Sequence, residues 1–226
     1  MQRFFDIVFS GMALVLFSPL LLPLIFILRV TGEGEIFFLQ SRVGRRGEHF
    51  MLYKFATMLK DSPNIGTRTV TLANDPRILP MGTFLRHTKI NELPQLINIL
   101  KGHMSIIGPR PLTPETYGAY PEIIRRNLCK VKPGLSGIGP IIFRAEDVIL
   151  SGNSASMEFY REFIAPYKGL VENWYVANQS IKTYFVCIFV TIWVVVFPRS
   201  GLVWRVFKDL PPPPEELKTA LNFNKP

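Results

Sequence analysis

The chain is poor in cysteine, in histidine and in charge. Two cysteines among 226 residues, Cys129 and Cys187, make no disulfide framework and place the chain in a reducing, cytosolic setting by default. The three histidines, His49, His87 and His103, are scattered without metal-ligand spacing, which argues against a zinc site. No internal repeat is present, so solenoid and propeller architectures drop out. Charged residues make up only 19% of the chain against 48% hydrophobic, the reverse of a disordered composition and apolar enough to imply membrane contact. Acidic residues are the scarcer sign: 17 against 26 basic, for a net charge of +9 and a pI near 9.7. The partner is therefore anionic: nucleic acid, acidic lipid or a phosphorylated substrate. Nucleic acid fares worst, because no binding motif for it appears and the basic residues cluster beside apolar segments.

The chain is long enough for one domain with a real core plus peripheral segments. Ile7 to Leu28 carries no charge. As a straight helix it would measure about 33 Å, enough to cross a bilayer. Pro19 and Pro23 predict a break near Ser18-Pro19, leaving two arms of about 15 Å each. Arg3 before the run and Arg29, Arg42, Arg45 and Arg46 after it are satisfied together if both ends are cytoplasmic. The reading is a re-entrant helix-break-helix; a single-pass anchor is the alternative. A signal peptide is disfavoured, since arginine rather than a small-residue cleavage site follows the run.

Ile36 to Phe55 reads as a β-hairpin turning at Gly44-Arg45-Arg46-Gly47. Its Arg42, Arg45, Arg46 and Lys54 form either a solvated basic face or a contact with anionic headgroups. Lys60 to Pro80 is turn-rich, and there Asp75 and Arg77 read by themselves as turn residues. Thr113-Pro114-Glu115 predicts a capped helix start. Val131 to Gly137, V-K-P-G-L-S-G, reads as a rigid basic turn; Arg144, Glu146 and Asp147 stay open between exposed helix charge and a second carboxylate pair. Thr183 to Phe197 is a second apolar run, short for a span, with Trp193, Trp204, Lys182, Arg199 and Arg205 suiting an interfacial helix. Pro211 to Pro214 predicts an extended spacer and a loosely ordered tail after it.

Thr88 to Pro111, T-K-I-N-E-L-P-Q-L-I-N-I-L-K-G-H-M-S-I-I-G-P-R-P, organises the chain. Ile90, Leu93, Leu96, Ile97 and Leu100 recur at helical spacing. Asn91 sits as an N-cap, Glu92 in the first turn, and Lys101-Gly102 as a C-terminal stop. Pro109 and Pro111 bracket Arg110 and stiffen the loop that carries it. A helix N-terminus, a carboxylate beside it and a stiffly held guanidinium are the parts of a phosphate site. An ordinary cap and a solvated arginine turn fit the same spacing.

L-R-H-T-K-I-N-E-L-P-Q-L followed by K-G-H-M-S-I-I-G-P-R-P closely resembles the core of the bacterial polyprenol-phosphate sugar-1-phosphate transferases, the monotopic phosphoglycosyl transferases. The resemblance extends through F-F-L-Q-S-R-V-G, Y-K-F-A-T-M, N-D-P-R-I-L-P-M-G and V-K-P-G-L-S-G, over about residues 1–185. It implies transfer of a sugar-1-phosphate from a UDP-sugar to polyprenyl (undecaprenyl) phosphate, with Mg²⁺, at the cytoplasmic face of the bacterial inner membrane. That is the first membrane step of glycoconjugate or exopolysaccharide biosynthesis, with membrane lipid a further partner and nucleic acid none. It makes Asn91 and Glu92 the catalytic pair, with Glu92 also the metal ligand. It puts Lys54, Asp75, Arg77, Arg86, Pro109, Arg110 and Pro111 in the substrate site. The fold class implied is α+β and membrane-associated: a re-entrant helix over 1–35, a cytosolic catalytic domain with a small hairpin and a helical core over 36–182, and an interfacial helix with a Pro-rich tail over 183–226.

Three positions depart from the family pattern. Most relatives carry Asp-Glu where this chain has Asn91-Glu92, the aspartate acting as nucleophile. A neutral amide is a very poor nucleophile. Ala56 stands where arginine is usual, and His103 where aspartate is usual. The resemblance therefore leaves three readings: a working transferase centred on Glu92, a catalytically weakened membrane-bound binding or scaffold protein, or an engineered inactivating change at Asn91.

Overall fold

A computed structural model describes residues 1–31, 33–64, 75–118, 120–144, 159–198 and 200–223. The fold is α+β. The chain forms two compact units, one of residues 1–4, 42–50 and 103–226, the other of 5–41 and 51–102. They do not coincide with the three segments expected from the sequence. Glu146 and Asp147 lie outside the described residues.

The second unit begins with the apolar helix. Helix α1 runs without interruption from Gln2 to Val30, with Pro19 and Pro23 inside it, where the sequence predicts a break. The reason is local. Pro19 has no N–H to give the Val15 carbonyl, and the Ser18 hydroxyl donates to that carbonyl instead, at 2.7 Å. At about 43 Å, α1 is the one helix among the described residues long and apolar enough to cross a membrane. Leu21, Leu24 and Leu28 are buried on Phe55 and Leu85, with Ile36, Met81, Ile90 and Leu93 packed around them. Met12, Val15, Leu16, Leu20, Leu22 and Phe26 stay exposed, a face that water does not favour.

Strands β1 (Phe37–Val43) and β2 (His49–Phe55) form the expected hairpin. Arg46 and Gly47, at φ 61° and 77°, make the reversal between them. Helix α2 (Gly82–His87) precedes the central stretch. There the structure departs from a capped helix starting at Asn91. Ile90–Glu92 is a 3₁₀ turn, and helix α3 (Gln95–Lys101) follows from Pro94. Proline again decides. The Ile90 carbonyl has no N–H at position 94 to accept, takes that of Leu93 at 3.1 Å, and tightens the turn. Helix α3 then buries Leu96 and Ile99 while Leu100 is exposed. Gly102, at φ 86°, ends it as expected.

In the first unit β3 (Ser105–Ile107) pairs in parallel with β4 (Gly134–Ser136), Ser105 opposite Gly134 and Ile107 opposite Ser136. V-K-P-G-L-S-G is therefore half strand rather than a turn. Its glycines permit the pairing: a Cβ on Gly134 would lie 2.1 Å from the Gly108 nitrogen, and one on Gly137 2.1 Å from the Gly108 oxygen. Helices α4 (Pro114–Gly118), α5 (Glu122–Leu128) and α6 (Ile138–Ile142) surround this ladder. The start of α4 is capped as expected, Thr113 Oγ1 accepting from the Thr116 amide at 3.1 Å.

Helix α7 (Ala165–Ala177) buries Tyr167, Val171 and Tyr175. Helix α8 (Ile181–Val196), capped by Ser180, buries Tyr184, Cys187, Val190 and Val194. Its other face, with Phe185, Phe189, Ile192 and Trp193, is apolar and exposed, unlike a helix facing water. Pro211–Pro214 is extended, but the tail beyond it is not loose. Helix α9 (Leu202–Val206) precedes the prolines and α10 (Glu215–Lys218) follows them. Leu217 and Leu221 are buried, and the Trp204 indole donates to the Leu221 carbonyl at 3.1 Å.

Candidate functional site

The residues singled out in the sequence divide between the two units. Asn91, Glu92, Lys54, Arg86, Asp75 and Arg77 belong to one, and Pro109, Arg110 and Pro111 to the other.

Glu92 closes the 3₁₀ turn, and its Oε1 meets the Lys54 ammonium at 3.1 Å; the two side chains are 23% and 18% exposed. Neither is sealed off, so both charges remain within reach of a ligand. Lys89, in the left-handed conformation at φ 62°, starts the turn. Asn91 is not a cap. No side-chain bond caps either the 3₁₀ turn or α3, and Asn91 is buried, 8% exposed. Its Oδ1 has no hydrogen-bond partner among the described residues. A buried amide oxygen without a donor is costly, and it lies beside the one carboxylate of the turn.

Arg86, half-buried on α2, directs Nη1 to the Met58 sulfur at 3.6 Å. Asp75 and Arg77 behave differently from their expected place in a substrate wall. Arg77 donates through Nε to Asp75 Oδ1 at 2.8 Å and through Nη2 to Oδ2 at 2.6 Å. Its Nη1 donates to the Ser62 carbonyl at 2.8 Å. Both side chains are 4% exposed, and the aspartate holds the guanidinium above its ordinary pKa. The fork ties Ser62 to Asp75 across residues 65–74.

In the other unit Arg110 stands on the loop after β3. Pro109 and Pro111 are buried while the Arg110 side chain is exposed, and its guanidinium has no hydrogen-bond or ion-pair partner among the described residues. Arg42, expected at the membrane surface, instead donates to the Pro111 carbonyl at 2.9 Å. Arg45 likewise donates to the Lys130 carbonyl at 3.2 Å. His103, in place of the usual aspartate, is exposed beside the Phe50 ring.

Sequence reasoning missed two residues that carry this geometry. Asn98, fully buried, accepts from the Tyr53 amide at 2.9 Å and donates to the Met51 carbonyl at 2.7 Å, tying α3 to β2. Glu172, 6% exposed, accepts from the Arg110 amide at 3.0 Å. Burial pushes its carboxyl up to about 7, against the pull of that amide, of Lys168 and of Arg110. The signal for both was a polar residue inside an apolar helical face, L-I-N-I-L and L-V-E-N-W-Y.

Among the described residues no three His, Cys, Asp or Glu side chains cluster as a metal cage. Glu92 is the one carboxylate of the turn, and a single carboxylate fits an ion that keeps its waters and shares substrate phosphates.

A family model described as bacterial sugar transferase matches residues 1–198. The chain is 36% identical over 167 residues to the UDP-glucose:undecaprenyl-phosphate glucose-1-phosphate transferase of Escherichia coli, covering 73% of this chain and 36% of that protein. It is 32% identical over 216 residues to the undecaprenyl-phosphate galactose phosphotransferase of Salmonella typhimurium, covering 89% and 41%. Against the exopolysaccharide production protein ExoY of Rhizobium meliloti it is 31% identical over 214 residues, covering 88% and 87%. The chain thus spans well under half the length of the first two relatives and most of the third. With a match over most of its length and a relative nearly coextensive with it, the chain belongs to the bacterial sugar transferase family.

Proposed function

We propose that the protein moves a sugar-1-phosphate from a UDP-sugar to polyprenyl phosphate at a membrane surface. Family membership together with the exposed Arg110 guanidinium, unpaired among the described residues, carries this reading. An arginine on a loop whose flanking prolines are buried is a pre-organised phosphate ligand. In the transfer an oxygen of the lipid phosphate bonds to the sugar-bearing phosphorus, and UMP leaves with the electron pair of the broken P–O bond. Such a step asks for positioning and charge neutralisation more than for side-chain chemistry. Each unit offers positive charge for a phosphate, Arg110 in one and Arg86 and Lys54 in the other. Glu92 would hold Mg²⁺ together with phosphate oxygens, and the ion when bound would neutralise phosphate charge. Asn91 carries no charge, so a phospho-enzyme at that position has no nucleophile, which favours direct transfer. The test is UMP release from a panel of UDP-sugars with polyprenyl phosphate and Mg²⁺. No release from any donor, with UDP-sugar binding retained, would favour the second reading, a binding or scaffold member, for which the neutral Asn91 speaks.

The membrane element belongs to the same proposal: α1, helical from Gln2 to Val30, bends within the bilayer near Ser18-Pro19 so that both of its ends lie at the cytoplasmic face. The charge-free run with prolines in its middle and arginines on both flanks supports this reading. The exposed apolar face of α8 adds an interfacial contact. A cysteine at position 2 modified by a reagent confined to the periplasm would establish a span and end this topology.

A further inference from the structure

The loop that carries Arg110 is held through several of its backbone groups. Tyr175 donates its hydroxyl to the Ile107 carbonyl at 3.2 Å. The Gly108 amide donates to the Ser136 carbonyl at 2.9 Å, and the Pro109 carbonyl accepts from the Gly134 amide at 2.8 Å. The Pro111 carbonyl accepts from Arg42 at 2.9 Å. The Arg110 amide goes to a carboxylate: Glu172 Oε1, at 3.0 Å. Glu172 and Tyr175 lie one turn apart on α7, so one helix holds the loop on both sides of the Gly108-Pro109 step.

A carboxylate is a costly choice here. Glu172 is buried, its Oε2 has no hydrogen-bond partner among the described residues, and an unpaired buried oxygen penalises the charged form. Room for the group is made by Gly139 of α6, where a Cβ would lie 2.2 Å from Oε1. An uncharged acceptor would satisfy one amide without that cost. What the charge adds is a bond about twice as strong as a neutral one. We propose that Glu172 is the positioning residue of Arg110: through the Arg110 amide its carboxylate fixes the bend that presents the guanidinium to a diphosphate. This rests on Arg110 being a phosphate ligand.

The carboxyl titrates near neutrality, so the hold on the loop is pH-dependent. The charged or titratable groups around it are Lys168 on its own helix, Arg110 on the loop and Cys187 on α8; Gly139 brings no charge from α6. On α5, Arg126 pairs with Glu122 and Arg125 lies over the Tyr117 ring, 5.8 Å from its centroid. Ionised Glu172 grips the amide strongly and protonated Glu172 weakly. A UDP-sugar diphosphate does not titrate between pH 5.5 and 8.5 and adds no step of its own.

The experiment is calorimetric binding of UDP-glucose with Mg²⁺ to the full chain in detergent, from pH 5.5 to 8.5. Wild type, Glu172→Gln, Gly139→Ala and Arg110→Ala are compared after a thermal melt confirms that each is folded. Wild-type affinity is expected to rise about threefold to tenfold through pH 7, as a charge-assisted bond replaces a neutral one. Glu172→Gln, nearly the same shape without the charge, should stay at the weak value throughout. Gly139→Ala, which crowds the carboxyl, should lose the step as well. A wild-type step retained in Glu172→Gln, with Arg110→Ala binding weakly, overturns the positioning role alone. Arg110→Ala binding as wild type does at every pH removes the phosphate reading and the proposal with it.

Discussion

Glu172→Gln also makes a stability prediction that needs no substrate. The carboxyl titrates near 4.5 in the unfolded chain and at about 7 in the folded protein, because burial disfavours its charged form. Between these values the native state holds a proton that the unfolded state has released. Stability therefore falls as pH rises from about 4.5 to about 7 and is level above that. At 1.36 kcal/mol for each tenfold change in proton concentration, the loss from this one group is about 3 kcal/mol. Glutamine does not titrate. Its amide would sit where Oε2 has no partner, a fixed cost that displaces the stability curve without tilting it. Urea denaturation of both proteins in the same detergent, at steps from pH 4.5 to 8, gives the difference between the curves. The variant should gain about 3 kcal/mol on wild type across that range. Parallel curves would mean that the carboxyl is not charged and buried as described, and would refute the reasoning.

Other expectations follow from the same geometry. Arg110→Lys should fold normally and weaken UDP-sugar binding by about 1.5–3 kcal/mol, since lysine lacks the planar fork; unchanged affinity would return Arg110 to a solvated turn. Asn91→Asp places a carboxylate in the 3₁₀ turn beside Glu92 and should create or raise transfer through a phospho-enzyme that acid quench traps. If wild type turns over fast and the variant adds nothing, the aspartate chemistry is not used here. Glu92→Gln should abolish turnover in both backgrounds, and UMP release that persists would remove Glu92 from the centre of the site. Asn98→Ala leaves a half-buried amide and a half-buried carbonyl of β2 unpaired and should cost about 1–3 kcal/mol in denaturant titration; a loss under about 0.5 kcal/mol would mean water takes over both bonds.

The residue order alone determined whatever depends on neighbours in sequence. The apolar run of α1, the hairpin turning at Arg45-Arg46, the Thr113 cap, the Gly102 stop and the stiff Pro109-Arg110-Pro111 loop all follow from side-chain type and spacing, and all are present. So does the family, through ordered motifs. Tertiary structure decided how each polar group is spent. Asp75 and Arg77 pair with each other and with Ser62. Arg42 donates to the Pro111 carbonyl. Asn91 is buried in the 3₁₀ turn that carries Glu92 instead of capping a helix. Glu172 lies 62 residues beyond the amide it holds. A hydrogen bond between segments that far apart leaves no periodicity in the chain; only a charge out of place in an apolar helix marks it, and which group it meets is settled when the chain closes on itself.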